Sequence, residues 1–445
     1  MGRKNCFIEK EKMMRNNKST QKVYYIILDG AADRPIEVLG NKTPLEAATT
    51  PNIDKLCKNG MMSLIDIIPG GITPETDSGL LALLGYDPEK YYFGRGSLEA
   101  MGLGICNEYR YKAGFRVNFA SSNPQTGLLD RRTSRNLTKA ELQELTTELK
   151  ANVNLNSFGD VQFDLVSFGV HRGILVFFSN SLPLSGNVSN TDPLFEKIGY
   201  FSVPRLDYNY SDARICIPLD DSLASKTTAS LVNSFVEQST IILNNSKVNA
   251  SRKKKGELPC NLLIVRDGGG EPPVFPKFYD KYNSNLVIYG ELPCENALAQ
   301  LVGAEYVYTK EFELQLDDSF LKEMGHIMIN SSKDVVFCHL KGPDEPGHDN
   351  KPFQKILAIE KIDRFLFKEL LKSEQGDSIF IITCDHATPC ELGIHSNDKV
   401  PLLISGKGIC KDGSVHFDEK TASRGKCPVK KASEVMNFVR KLKQN

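Results

Sequence analysis

The stretch IFIITCDHATPCELGIHS, residues 379–396, joins a short β-branched and aromatic run to a cluster of side chains that bind metals. Such a run is what a central parallel strand shows when both of its faces are buried. Where the run stops, Asp385 and His386 stand side by side, and His395 follows. Upstream, GPDEPGH, residues 342–348, adds Asp344 and His348, four apart. Carboxylate mixed with imidazole suits zinc, manganese or similar ions better than calcium.

Two more apolar runs end in the same way. VYYIIL, residues 23–28, runs into Asp29, and DVVFCHL, residues 334–340, precedes Asp344. In open α/β sheets ligands gather outside the carboxyl ends of the strands, so Asp29, Asp344 and Asp385 are expected to converge across more than three hundred residues of sequence. One strand-end acid reads equally well as the N-cap of the next helix. Capping does not explain three such acids accompanied by His348, His386 and His395, in a chain with seven His in all.

Composition narrows the classes. The chain has 445 residues, 40% apolar, enough for a large core and a second domain. Its formal net charge is zero, which gives no footprint for nucleic acid. The single basic run, RKKK at 252–255, follows an Asn/Ser-rich stretch and reads as a solvated linker. Eleven scattered Cys with no CxxC pair, and no recognisable secretory leader, point to free thiols in a reducing compartment, the cytoplasm. No apolar stretch approaches eighteen residues, so no membrane partner is expected. Met1-Gly2 opens like a myristoylation signal, but Cys6 stands where Ser or Thr is needed.

Residues 1–22 are polar and read as an extension. Residues 43–58 read as one helix stopped by Gly60, and 63–68 as a strand. That strand leads into PGGITPETDSG, residues 69–79, and then the helical run LLALLGY. A strand, a Gly/Pro turn and a hydroxyl residue at a helix start can present a nucleophile where free N–H groups favour an anion. Equally, Thr76, Asp77 or Ser78 can be the N-cap. From 106 to 255 the pattern changes to alternating segments and a charged helix, an inserted α+β domain. It carries Arg116, Arg131, Arg132, Arg135, His171, Arg172 and Asp192, residues that clamp phosphate or carboxylate or move a proton nearby. The α/β pattern resumes with NLLIV running into Arg266. The division is therefore 23–105 with 256–445 for the metal-binding part and 106–255 for the insert. Ile356, Ile359, Ile362, Leu366 and Leu370 mark a long amphipathic helix.

Taken in order, LDGAADRP (28–35), TPLEAATTPNID (43–54), LLGYDPEKYYFGRGSLEAMGLGI (83–105), FRVNFA (115–120), LDRRTSR (129–135), KGPDEPGHD (341–349) and DHATPCELGIHSNDKVPLLI (385–404) form a series of blocks. With these the chain resembles the archaeal-type cofactor-independent phosphoglycerate mutases of the alkaline phosphatase superfamily, from about residue 23 onward. The resemblance implies an α/β fold, an alkaline-phosphatase-like three-layer α/β/α metalloenzyme domain with a smaller α+β insert. It also implies two divalent ions, manganese, zinc, magnesium or cobalt. One would be held by Asp29, Asp385, His386 and the nucleophile oxygen, the other by Asp344, His348 and His395. The implied reaction interconverts 3- and 2-phosphoglycerate through a phosphoenzyme, without 2,3-bisphosphoglycerate.

The departure lies at the nucleophile. Relatives offer Ser two residues after the loop Pro, and here Thr76 holds that position, with Ser78 as the fallback. Arg116, Arg131 and Arg266 are expected to hold substrate carboxylate and phosphate, Lys341 the phosphate on the metal side, and Asp192 or His171 to move a proton. A phosphatase or phosphodiesterase on the same fold would share every metal ligand and differ in admitting water. A sulfatase lacks its modification motif around Thr76, and an inactive metal-binding scaffold would have no need of the intact ligand set. Whether the chain forms a homo-oligomer is left open by the sequence.

Overall fold

A computed structural model describes residues 21–105, 108–123, 126, 128–205, 213–310, 318–373 and 378–443. Nearly all of the N-terminal extension, with its Met1-Gly2 start, lies outside the described residues. The strands in chain order are β1 (Val23–Leu28), β2 (Gly60–Ile65), β3 (Tyr111–Ser122), β4 (Leu129–Asp130), β5 (Gln162–Phe168), β6 (Arg172–Ser179), β7 (Phe195–Ile198), β8 (Phe201–Pro204), β9 (Leu262–Gly269), β10 (Leu286–Gly290), β11 (Glu305–Tyr308), β12 (Val335–Leu340), β13 (Ile379–Thr383) and β14 (Val400–Gly406).

Seven of them form one sheet in the order β11-β10-β12-β1-β13-β14-β2. The strands from β11 to β13 run parallel, and β14 is antiparallel to both of its neighbours. The three apolar runs that end in acids are the adjacent strands β12, β1 and β13, and every residue in them is buried. Their ladders end together, Leu28 opposite Leu340 and Ile27 opposite Thr383, so the segments that follow leave the sheet at one edge. This is the α/β architecture expected from the sequence.

The second sheet has the order β4-β3-β6-β5, with β9 paired to the other side of β3. It is antiparallel throughout and covered by the helices Lys139–Asn152 and Leu223–Asn244, which share its apolar core. Pairing of β9 with β3 corrects the boundary at 255, since residues 262–269 belong to this sheet and not to the first. The run at 252–255 is corrected as well. It closes the helix Lys247–Lys254, and Arg252 is fully buried, with Glu141, Asn136 and the Leu258 carbonyl taking its guanidinium. Desolvating an Arg is tolerated here because each face of the fork meets an acceptor.

Other boundaries shift for local reasons. The single helix expected at 43–58 is two, Pro44–Ala47 and Pro51–Cys57. Thr43 caps the first in a capping box with Glu46, and Pro51, which forces the residue before it out of the helical region, starts the second. Gly60 opens β2 rather than following a helix. The amphipathic helix begins at Pro352 and passes through a π-turn at Ile362–Phe367.

The helix Arg95–Gly102 lies directly on the second sheet because Gly96 has no side chain. A Cβ there would sit 2.3 Å from the Gly114 carbonyl oxygen and 2.4 Å from the Phe115 Cα. Backbone cannot move aside as a side-chain tip can, so Gly96→Ala is expected to cost about 2 kcal/mol or more, within the range for overpacking. Calorimetric melting should show a Tm several degrees lower; an unchanged Tm would contradict the contact.

Candidate active site and metal centre

Asp29, Asp344 and Asp385 follow the three adjacent strands, and all are buried. The Asp29 amide donates to the Leu340 carbonyl at 3.0 Å, continuing the sheet by one residue, and the Gly30 amide donates to Asp385 Oδ1 at 3.1 Å. Gly30 adopts φ +58°, and a Cβ on it would lie 2.7 Å from Asp344 Oδ1. The chain therefore turns away from Asp29 without displacing the neighbouring carboxylate, which only glycine does without strain.

Three imidazoles close on these acids, and each is held from outside. His348 Nδ1 meets the Gly393 carbonyl at 2.9 Å. His386 Nδ1 lies 3.1 Å from the Thr388 hydroxyl, which itself donates to Asp344 Oδ1 at 2.9 Å. His395 Nδ1 stands 3.3 Å from Glu75 Oε1. With each Nδ1 turned outward, hydrogen-bonded in His348 and His386 and beside the Glu75 carboxylate in His395, all three Nε2 atoms face inward. His348 Nε2 and His395 Nε2 are each 3.5 Å from Asp344 Oδ1 and 3.1 Å from one another. His386 Nε2 is 3.2 Å from both Asp29 Oδ1 and Asp385 Oδ2. Ligand atoms of Asp344, His348 and His395 lie within 4.8 Å of one another, as do those of Asp29, Asp344 and His386.

The residues present fit divalent cations. Asp29 Oδ1 and Asp385 Oδ2 are buried without a hydrogen-bond donor, an expensive state for carboxylates unless a cation meets them. Burial lowers the His386 imidazole, but Asp385 and Asp29 outweigh it and push it up to about 10. That same negative field attracts a metal ion, whose binding to Nε2 releases the proton. Lys341 reaches across the two half-sites, its Nζ 3.1 Å from Asp29 Oδ2 and 2.8 Å from Asp344 Oδ2.

Thr76 is the first residue of the helix Thr76–Leu83, and its hydroxyl lies 3.4 Å from His386 Nε2. Gly79 lets that helix dock on the ligand loop, since a Cβ there would meet the Asp385 carbonyl oxygen at 2.5 Å. Ser78 is occupied elsewhere. Its hydroxyl donates to the Glu75 carbonyl at 3.0 Å and accepts from the Glu75 amide at 3.1 Å, a capping role.

Facing this cluster across a cleft are Arg116, Arg131, Arg266 and His171, and the cleft also touches Thr76, Lys341, Asp344, His348 and His395. Arg116 on β3 sits directly opposite Arg266 on β9. Two cations paired across strands repel, and buried acids hold them in place. Glu99 lies 3.3 Å from Arg116, and Asp267 lies 2.5 Å from Arg266. Asp192 stands behind this wall, fully buried, both oxygens engaged by the fork of Arg131. Burial and the nearby Arg172, Arg135, Arg116 and Arg131 push the His171 imidazole down to about 3, so it is neutral in ordinary buffers.

Several site residues escaped the sequence reading. His339, one strand residue before the polar segment, donates from Nδ1 to Glu295 Oε1, 2.5 Å away, and points Nε2 at Asp29 Oδ2 at 3.4 Å. Its signal was a lone His in an otherwise apolar strand. Glu75, between Pro74 and Thr76, and the Arg95/Glu99 pair at helical spacing were visible in quoted blocks, without a partner to give them meaning.

A family model described as 2,3-bisphosphoglycerate-independent phosphoglycerate mutase matches residues 57–249. A relative of that name from Aeropyrum pernix is 37% identical over 416 residues, 91% of this chain and 95% of the relative. One from Thermococcus kodakarensis is 34% identical, over 90% and 92%. Among solved structures, a Pyrococcus horikoshii protein superposes with a TM-score of 0.74 at 26% identity, over 95% of this chain and 97% of that one. A cofactor-independent phosphoglycerate mutase from Thermoplasma acidophilum gives 0.59 at 28% identity, over 95% and 100%. The chain belongs to the 2,3-bisphosphoglycerate-independent phosphoglycerate mutase family.

Proposed function

We propose that the chain is a metal-dependent, cofactor-independent phosphoglycerate mutase, a glycolytic isomerase of the cytoplasm that interconverts 3- and 2-phosphoglycerate. One observation carries this reading. The carboxylate–imidazole cluster with Thr76 forms one wall of a cleft whose other wall is the cross-strand pair Arg116 and Arg266. A small anion with a phosphoryl group at one end and a carboxylate at the other matches both walls.

In this reading Asp29, Asp385, His386 and the Thr76 hydroxyl hold one divalent ion, and Asp344, His348 and His395 hold the second. Such ions lower the pKa of a bound hydroxyl and offset charge on the oxygens of an in-line displacement. The Thr76 hydroxyl gives up its proton as Oγ1 attacks phosphorus, and the bond from phosphorus to the substrate oxygen breaks. The freed glycerate oxygen takes a proton. Arg116, Arg131 and Arg266 retain glycerate by its carboxylate while it turns, and Lys341 holds the phosphoryl group against Asp29 and Asp344. The other glycerate hydroxyl then attacks the phosphothreonine, loses its proton, and releases Thr76 Oγ1. Asp192 supports this by fixing the Arg131 fork, and Asp192 or His171 moves the proton to and from glycerate. Retention of glycerate is what separates a mutase from a phosphatase, since water must be kept from the phosphothreonine.

Purified protein should interconvert the two phosphoglycerates without added 2,3-bisphosphoglycerate, lose activity to a chelator and recover it with manganese. Inorganic phosphate appearing with no isomer formed would replace the mutase reading by a phosphatase. Thr76→Ala should lower kcat by roughly 10³-fold or more, as loss of a nucleophile does, and Thr76→Ser should stay active. Full activity in Thr76→Ala would exclude Thr76. Arg116→Ala or Arg131→Ala should raise KM about tenfold or more, the scale of a lost charged hydrogen bond; near-normal kinetics in both would remove them from the site. His171 is already neutral above about pH 3. His171→Gln should therefore leave the acidic limb of the kcat/KM profile between pH 5 and 8 where it is, and a shifted limb would show that His171 titrates there.

A further inference from the structure

From His395 a file of side chains of alternating charge, buried except for the partly exposed Glu75, crosses from the first sheet to the second. Glu75 Oε1 is 3.3 Å from His395 Nδ1, and Glu75 Oε2 is 3.1 Å from Arg95 Nη1. Arg95 Nε donates to Glu99 Oε1 at 2.7 Å, and Glu99 Oε2 is 3.3 Å from Arg116 Nε. The two central links are hydrogen bonds. The two end contacts are close ion pairs, and His395 Nδ1, Glu99 Oε2 and Arg116 Nε all lack a hydrogen-bond partner. Arg95 and Glu99 share the helix Arg95–Gly102, seated on the backbone of β3 at Gly96, so the middle of the file is rigid while its ends can respond.

We propose that Glu75 is the positioning residue for His395, and that Arg95 and Glu99 couple it to Arg116, so that the metal half-site and the anion-binding wall share one chain of charges. A carboxylate on the outer nitrogen of a metal-binding imidazole fixes its tautomer and raises its basicity. Glu75 does this only to the degree that Arg95 leaves it free. Glu99 draws Arg95 away from Glu75, and an anion on Arg116 alters the hold of Glu99 in turn. The coupling is reciprocal by linkage. It rests on the two-ion reading of the cluster and adds to it residues that touch neither ion.

The test is a double-mutant cycle read by calorimetric titration of the metal-free full chain with Mn²⁺ alone. Glu75→Gln should weaken one of the two Mn²⁺ affinities by about tenfold or more, the scale for outer partners of metal ligands. The other affinity, that of Asp29, Asp385 and His386, should hold. Glu99→Gln removes the competitor for Arg95, which then pulls Glu75 from His395, so the same affinity should fall about three- to tenfold. In the Glu75→Gln background, Glu99→Gln should change nothing further. An unaltered affinity in Glu99→Gln, effects that multiply independently, or an equal loss at both sites would each overturn the proposal. Should Glu99→Gln not fold, Arg95→Lys, which loses the fork and loosens the hold on Glu75, makes the same measurement with the opposite expected direction, a tighter affinity at that one site, and an unaltered affinity there would overturn the proposal. Wild-type protein that binds no Mn²⁺ would sink the two-ion reading itself, a distinct result from a metal-binding protein with an additive cycle.

Discussion

Three carboxylates brought together at one buried sheet edge are the constraint on which the rest of this structure turns. Asp29, Asp344 and Asp385 arrive there because β12, β1 and β13 are parallel neighbours that end in register. Charges of one sign held close in a low-dielectric interior repel strongly, and each has also given up its hydration. The fold answers with cations. Lys341 sits between Asp29 and Asp344, and His339, His386 and His395 lie against the acids. Asp29 Oδ1 and Asp385 Oδ2 still lack a donor, a residual negative charge that a divalent cation would offset.

A cluster of this kind must be stiff to select a geometry, and its stiffness comes from outside the ligands. Gly393 and Thr388 each fix one imidazole by its outer nitrogen, and the Glu75 carboxylate lies 3.3 Å from the third. The loops themselves are tied by a fully buried Lys355, whose Nζ donates to Asp33 at 2.8 Å and to the Thr388 carbonyl at 2.8 Å. Asp33 in turn accepts from the Cys390 amide. One lysine thus joins the segment after Asp29 to the segment after Asp385, and leaves no unpaired charge in doing so.

The arginine-lined wall of the cleft belongs to a different sheet and a different core. Arg116 and Arg266 are cross-strand neighbours, an arrangement that a purely structural sheet would avoid. It persists because Glu99, Asp192 and Asp267 stand behind the arginines, leaving part of their charge for a ligand in front. The helix Arg95–Gly102, with glycine against the β3 backbone at one end and against Pro293 at the other, joins the two walls.

Much of the candidate site was legible because its residues sit beside local patterns: an apolar run of strand length, then Asp, then His at short spacing. Asp29, Asp344, His348, Asp385, His386 and His395 could be picked out in that way, and the resemblance placed Thr76 among them. The break at Pro51 escaped the reading of 43–58 as one helix, although Pro51 and the Thr43 cap signal it locally. What stayed hidden depends on partners distant in sequence. Arg252 looked like part of a solvated basic run, Lys355 like any lysine on an amphipathic helix, and Glu75 like a loop residue. Each became meaningful only when folding set Glu141, Asp33 or His395 beside it. The membership of β9 was hidden for the same reason, since an apolar strand does not encode which sheet it joins. The sequence by itself thus determined the strand ends, the ligand types and the chemistry they favour, all local properties of the chain. Tertiary structure alone decided which outer partners hold those ligands and how the arginines meet them, because burial and pairing arise only when distant segments share one interior.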